Sequence, residues 1–413
     1  MSDITNPGGR LTTLDGLRGI AVMGILLINI PLFALIEAAM FNPLAQGGDR
    51  PVDIAAWAVN FVLAEGKMRN LFSLLFGASL LLVVQRATAA GENPARVHYA
   101  RMFWLAVFGA AHLYLIWWGD ILLHYAIVGS VAFLFRNALP RTLVVTAILL
   151  LVIELLLGFG STAAMSAARV AASAPDASAA LVRTWADFNN VMGIPDAATV
   201  ARNDALYRSG WTTIVGHRIT EGADTLLVLI VLGFETLGMM LLGMAGLKSG
   251  FLTGEWPRAQ YRRIAAIGYA IGLPVMIALA TWLIVDRFDP VLSFAVTTAL
   301  SAIVRPLIMF AHASVIILWL TGGTSALRDH VIATGRMAFS NYLGTSLLMT
   351  TLFYGWGGGL YGSLGRADLY VVVPVVWALM LLWSKPWLDH FRYGPLEWLW
   401  RSLSRGKLQP MKK

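Results

Sequence analysis

Runs of about twenty residues with almost no charge recur along this chain, and few folds tolerate them. The hydrocarbon core of a bilayer is about 30 Å thick, so a crossing helix needs about 20 mostly apolar residues. Leu143–Gly158 with its flanks and Val291–Leu320 are runs of this kind. Apolar residues make up 58% of the 413 residues and charged ones 13%, whereas a soluble domain carries roughly 25% charge. Mean hydropathy is +0.69. The expectation is an all-α, polytopic integral membrane protein of about ten transmembrane helices. The spans fall at roughly 17–38, 68–86, 98–118, 119–136, 141–160, 224–248, 264–285, 291–320, 335–356 and 367–390. All lie in one array, so 1–413 reads as a single transmembrane domain. The first run, Leu17–Ala39, exceeds the roughly 7–15 residues of a signal-peptide core and is expected to stay as the first span.

Basic residues near span ends mark the cytoplasmic side. With the N-terminus inside, the inner segments hold Arg10 and Arg18; Arg86, Arg96 and Arg101; Arg136 and Arg141; Lys248, Arg258, Arg262 and Arg263; and Arg328 and Arg336. Residues 391–413 form a basic tail, so both ends are placed in the cytoplasm. The net charge of +8 is then a property of inner loops, and no nucleic-acid partner is expected. One long loop, 161–223, falls outside. It is too polar to cross and too long for a plain connector, so short helices capping the outer face are expected there. Residues 52–66 are short and amphipathic and are placed at the outer interface. The absence of cysteine excludes disulfides, thiolate metal sites and a cysteine nucleophile. No metal is expected.

An ionisable side chain at mid-membrane costs at least about 2.5–3.5 kcal/mol, so those that remain normally face the bundle interior and are paired. The candidates are Asn29, His112, His124, Glu154, Glu235, Arg305 and His312. His112 precedes Gly119–Asp120 and His124–Tyr125 closely, and histidine best takes and returns a proton near neutral pH. The competing reading is an interfacial histidine bonded to a backbone group. Glu235 and Arg305 sit at similar depth, as a structural ion pair or a proton relay. His312 lies two turns from Arg305 on a shared face. Gly335–Arg336–Met337 opens the ninth span, where a helix N-terminus beside an arginine favours anions. With Arg18, Arg101, Arg262 and Arg263 on the same side, a phosphate-rich ligand is plausible, against the plainer reading of ordinary positive-inside residues. Ala245–Ser249 imitates the end of a phosphate-binding loop, but its glycine spacing is wrong and no strand precedes it. Gly233, Gly238, Gly243, Gly246 and Gly250 read as close helix packing.

The ordered set Leu14–Asp15–Gly16–Leu17–Arg18–Gly19 with Asn29, Leu71–Gly77, Gly119–Asp120 with Tyr125–Ala126, Gly335–Arg336–Met337–Ala338 with Asn341–Tyr342–Leu343, and Gly394–Pro395–Leu396–Glu397–Trp398 resembles the YeiB-like family of bacterial membrane proteins. That family is similar to a superfamily of transmembrane acyltransferases, among them the lysosomal enzyme that acetylates heparan glucosamine. The resemblance implies a bacterial cytoplasmic (inner) membrane protein. It would take acetyl or another acyl group from cytoplasmic acyl-CoA and deliver it to an extracytoplasmic or lipid-linked acceptor, a small molecule or a glycan.

On that implication Arg18, Arg101, Gly335 and Arg336 would hold the donor's phosphates. His112 would be the base, with Asp120 or Tyr125 orienting it, and Asn29 would serve the oxyanion. Relatives carry a histidine at or a few residues beyond the position of Asn29; here none occurs between Asn29 and His98. The alternatives are a transporter that uses Glu235, Arg305 and Glu154 for charge handling, and an accessory subunit of an envelope complex. Membrane lipids are expected partners, and a homo-oligomer stays open.

Overall fold

The computed structural model describes residues 11–48, 50–221 and 233–413. Among these the backbone is helical, with a single isolated β-bridge between Phe391 and Lys412 and no strand. Arg10 and the start of the expected 224–248 span lie outside the described residues. In chain order the described helices of at least 11 residues are α1 (Thr12–Ala34), α2 (Pro51–Leu63), α3 (Lys67–Ala89), α4 (Pro94–Ala111) and α5 (Leu122–Ala132). Next come α6 (Pro140–Ala172), α7 (Ala179–Met192), α8 (Ala197–Tyr207) and α9 (Trp211–Glu221). The remainder are α10 (Gly233–Lys248), α11 (Arg258–Val285), α12 (Arg305–Leu320), α13 (Ala326–Arg336), α14 (Ala338–Phe353), α15 (Val372–His390) and α16 (Pro395–Arg405). Proline opens α2, α4, α6 and α16, where its missing N–H is no loss and its fixed φ suits the first turn.

Among the described residues six helical stretches are long and apolar enough to cross a membrane, or seven if the bent pair Pro290–Ile303 and Arg305–Leu320 is one span. Length and composition thus support six or seven of the crossings, and the count of ten is not confirmed. Three further expected spans hold α5, α10 and α14, of 11, 16 and 16 described residues, and the residues just before Gly233 lie outside the described ones. The 291–320 run is not one straight helix either. A π-helical turn at Val296–Leu300 and a 3₁₀ turn at Ser301–Ile303 interrupt it, and the axis bends by 54° before Arg305. The expected outer loop starts later than 161, because its Ala/Ser-rich opening continues α6 to Ala172, as alanine's helix propensity favours. The capping helices are present as α7, α8 and α9.

Lipid-facing and core-facing helices separate clearly. Only 17% of the most apolar window of α6 is buried, and Ile148, Leu149, Val152 and Leu156 on it are exposed. By contrast 78% of the α1 window is buried. Glycine sets the tightest contacts, since without a hydrophobic drive between helices close packing supplies the association. A methyl group built on Gly77 of α3 would overlap the Met240 carbonyl of α10, and one on Gly243 of α10 would overlap the Leu74 carbonyl of α3. Gly19 of α1 and Gly335 of α13 interlock in the same way against Val331 and Asp15. Replacing Gly243 by leucine is therefore expected to destabilise by at least the roughly 1–3 kcal/mol of an overpacked core. Thermal unfolding in detergent checks this, and an unchanged midpoint would mean that the pair is not close-packed.

Candidate functional site

A cavity of about 660 Å³ lies between α1, α3, α4, α5, α14 and α16. One end is ringed by Arg18, Arg86, Arg101, Arg336 and Arg401, with Asp15 and Glu397 as the acidic members of the lining. Its walls are apolar: Leu75, Phe72, Leu80, Met102, Leu105 and Phe339. The other end closes at Ile121, Leu122, Tyr125 and Tyr342. Along α4 the step from Arg101 to His112 is eleven residues, about 16 Å at 1.5 Å per residue. The basic rim and His112 are thus separated by about half a bilayer core.

The rim is built by distant parts of the chain. Arg18 bonds Asp15 at 2.9 Å and Ser79 at 2.8 Å. The Arg101 guanidinium lies over the Trp400 ring, 3.9 Å from its centroid, and Trp400 Nε1 donates to the Arg101 carbonyl at 2.9 Å. The Arg401 guanidinium covers the Tyr393 ring. The motif around Glu397 therefore forms the floor of the cavity through α16. Its role was not read from the sequence, although its compact run of Pro, Glu and Trp was visible there.

Beyond Tyr342 lies His112. It is 1% exposed and opens the π-helical turn His112–Ile116, a distortion that recurs at functional sites. Its Nδ1 meets Asp120 Oδ1 at 2.8 Å, while Asp120 Oδ2 accepts the Leu123 amide at 2.8 Å and so caps α5. The carboxylate thereby fixes the ring and leaves Nε2, which is buried and has no hydrogen-bond partner. The Tyr342 ring stands 5.4 Å from the imidazole, centroid to centroid, and its hydroxyl reaches the Gly119 carbonyl at 3.5 Å.

The other expected site residues are placed as follows. Tyr125 lines the cavity but bonds Ser73 at 2.8 Å and the Arg69 carbonyl at 3.4 Å, so it does not orient His112. Asn29 is half-buried and is not among the cavity-lining residues. It shares the stripe of α1 that carries Arg18, but Val22 and Ile25 are buried between them and close the stripe. Gly335 and Arg336 line the rim, yet they end α13 and do not begin a span. The free amides of α14 are already taken: Glu397 Oε1 accepts from Phe339 and Ser340 at 2.8 and 3.1 Å, and Oε2 accepts from Ser340 Oγ at 2.5 Å. Burial pushes the Glu397 carboxyl above its ordinary value, and these donors hold it down. Glu397→Ala is expected to cost about 1–2 kcal/mol as a lost helix cap, read as a lower unfolding midpoint; no change would remove the cap from this account.

A second polar centre sits between α3, α10 and α12. Glu235, 2% exposed, pairs with Arg69, accepts from Asn70 at 2.9 Å and faces Arg305 at 3.5 Å. Arg305 also bonds Ser301 Oγ and the Thr297 carbonyl exposed by the helix break. Lys67 is fully buried and donates to the Phe61 carbonyl at 2.6 Å. The expected Glu235–Arg305 pair is present; Lys67, Arg69 and Asn70 were missed, because a polar run at the start of a span reads as a flank. His312 is bonded to Tyr269 and Leu63, and His124 to Thr236. Lys248, in the segment that imitates a phosphate loop, donates instead to the Arg136 and Ala138 carbonyls.

Comparison with known proteins adds relatives along the whole chain. A family model described as "Protein of unknown function (DUF418)" matches residues 247–407. The Escherichia coli (strain K12) protein YeiB is 34% identical over 407 residues, covering 96% of each chain. The Bacillus subtilis (strain 168) protein YxaH is 29% identical over 423 residues, covering 98% of this chain and 96% of its own. No solved structure matches the chain.

Proposed function

This chain belongs to the family of the YeiB and YxaH proteins, and from that premise we propose that it is a membrane-embedded acyltransferase. In this reading it moves an acyl group, acetyl in the simplest case, from acyl-CoA on the cytoplasmic side to an extracytoplasmic or lipid-linked acceptor. The observation that carries the reading is the His112–Asp120 pair with a free Nε2, set behind the blind end of a cavity whose other end is ringed by arginines.

The arginine rim matches the donor's phosphates, since guanidinium forks recognise phosphate oxygens in pairs. The apolar walls match an uncharged pantetheine arm, and the cavity leads the thioester from the rim towards Tyr342. With the Tyr342 ring turned aside, His112 Nε2 takes the proton of the acceptor's hydroxyl or amine. The acceptor's lone pair forms the new bond to the thioester carbon, the C–S bond breaks, and the departing thiolate receives that proton to leave as free CoA. The Tyr342 hydroxyl is the donor nearest the developing oxyanion. Asp120 holds the imidazole and stabilises its charged form.

Purified protein in nanodiscs, supplied with radiolabelled acetyl-CoA, tests this directly. Saturable binding and slow CoA release are expected. Neither binding nor release of CoA would end the proposal. Arg101→Ala should weaken donor binding about tenfold, the loss of one charge-assisted contact of roughly 1.5 kcal/mol, and the loss should shrink as salt rises. An affinity unaffected by both changes would show that the rim does not hold phosphate.

The buried Arg69–Glu235–Arg305 cluster favours a second reading, a transporter whose charged centre handles protons or substrate charge. Flux driven by a pH gradient in proteoliposomes, without CoA turnover, would select it.

A further inference from the structure

We propose that α9, in the cap of short helices, carries an oxyanion-binding site built on Arg218. The side chain is 6% exposed, and its Nε and Nη2 are both shielded from solvent without a hydrogen-bond partner. Those two nitrogens form one edge of the guanidinium, the edge whose parallel N–H bonds fit the two oxygens of a carboxylate or phosphate. Beside it stands Tyr354, fully buried, with its ring centroid 5.7 Å from the guanidinium and its hydroxyl, like that of Tyr207, turned to the cation. Tyr207 packs on Tyr354 with ring centroids 5.0 Å apart. These phenols solvate the cation but do not neutralise it, and among the described residues no acidic side chain forms an ion pair with Arg218. A buried guanidinium without a counter-charge is strongly disfavoured. An oxyanion on the open edge resolves both the charge and the two idle donors, and the Tyr354 hydroxyl supplies a third.

The position gives the site a meaning. Trp211, Ile214 and Arg218 share one face of α9, at spacings of three and four residues. Ile214 is buried against the bundle, and Trp211 Nε1 donates at 2.8 Å to the Leu115 carbonyl, inside the π-helical turn that His112 opens. The helix that holds the fork is therefore pinned to the turn that holds the imidazole. Arg218 is not among the residues of the arginine-rimmed cavity, so the two cationic sites are separate. The ligand class is a small oxyanion group, carboxylate or phosphate, on a soluble molecule or on a lipid headgroup. The site stands on its own geometry and does not require acyl transfer.

The test uses full-length protein in nanodiscs of phosphatidylcholine, in buffer free of oxyanions. Inorganic phosphate and glucuronate are titrated separately, and a parallel set of discs contains phosphatidylglycerol; unfolding temperature is the readout. A saturable rise is expected for the wild type in at least one arm. Phosphate or glucuronate acting in phosphatidylcholine discs indicates a soluble ligand, and a response to phosphatidylglycerol alone indicates a headgroup; either supports the site. Arg218→Gln should weaken the response at least tenfold, Arg218→Lys should keep the charge but lose most of it, and Tyr354→Phe should weaken it several-fold. Without oxyanion, Arg218→Met should unfold no lower than the wild type, since it removes a buried cation that no acidic side chain among the described residues pairs. No saturable response in any arm would overturn the proposal. So would equal responses of wild type and Arg218→Gln, or marked destabilisation by Arg218→Met without ligand.

Discussion

Replacing His112 by alanine is expected to lower acyl-CoA turnover by about 10²–10⁴-fold, the usual contribution of a positioned general base, while leaving donor binding nearly unchanged. The imidazole lies behind Tyr342, outside the cavity lining, so the donor's phosphates and arm do not touch it. The loss should therefore fall on kcat and not on KM. Asp120→Asn keeps the shape of the pair but not its charge and should fall between the two, because the amide no longer fixes which imidazole nitrogen is free. Stopped-turnover assays with labelled acetyl-CoA separate the two constants. An H112A protein that turns over CoA at the wild-type rate would remove the dyad from the chemistry and leave the cavity as a binding chamber only.

Glu235→Ala is expected to be the most damaging single change to the fold. It strands Arg69 and Arg305 in the interior with no counter-charge, and breaking a buried ionic network from one side typically costs about 3–5 kcal/mol. Little monodisperse protein should survive size exclusion. Glu235→Gln keeps the hydrogen bond to Asn70 and should be milder. Replacing all three members together by apolar residues of similar size should recover much of the loss, since the desolvation cost disappears with the charges. If Glu235→Ala instead unfolds at the wild-type midpoint and abolishes pH-driven flux, the cluster is a transport element and not a structural one.

What the sequence disclosed follows the reach of each signal. The lipid-facing helices could be read because hydrocarbon demands long apolar runs, and α6 and α11 announce themselves in that way. The pairing of His112 with Asp120 was within reach because eight residues and a tight reversal join them. The Glu235–Arg305 pair was guessed from depth alone, and depth cannot say that Arg69, 166 residues away from Glu235, is the nearer partner. Helical periodicity puts Asn29 on the stripe of Arg18 but cannot say that the cavity lining stops short of it. Gly335 and Arg336 were taken for the start of a helix because the break at Met337 leaves no proline or aspartate to mark it. Nothing local signals that a glutamate sixty residues later fills the amides of α14. Apolar content likewise does not reveal that the 291–320 run bends by 54°.

The Arg101–Trp400 stack has a consequence in time. The two residues are 299 positions apart, and a ribosome adding about 5–20 residues per second separates them by roughly 15–60 s. Through that interval first α14 and then α16 are missing from the walls of the basic chamber. Only the last amphipathic helix to leave the ribosome shuts it, so a truncation before Pro395 should yield an inserted but permanently unfinished vessel.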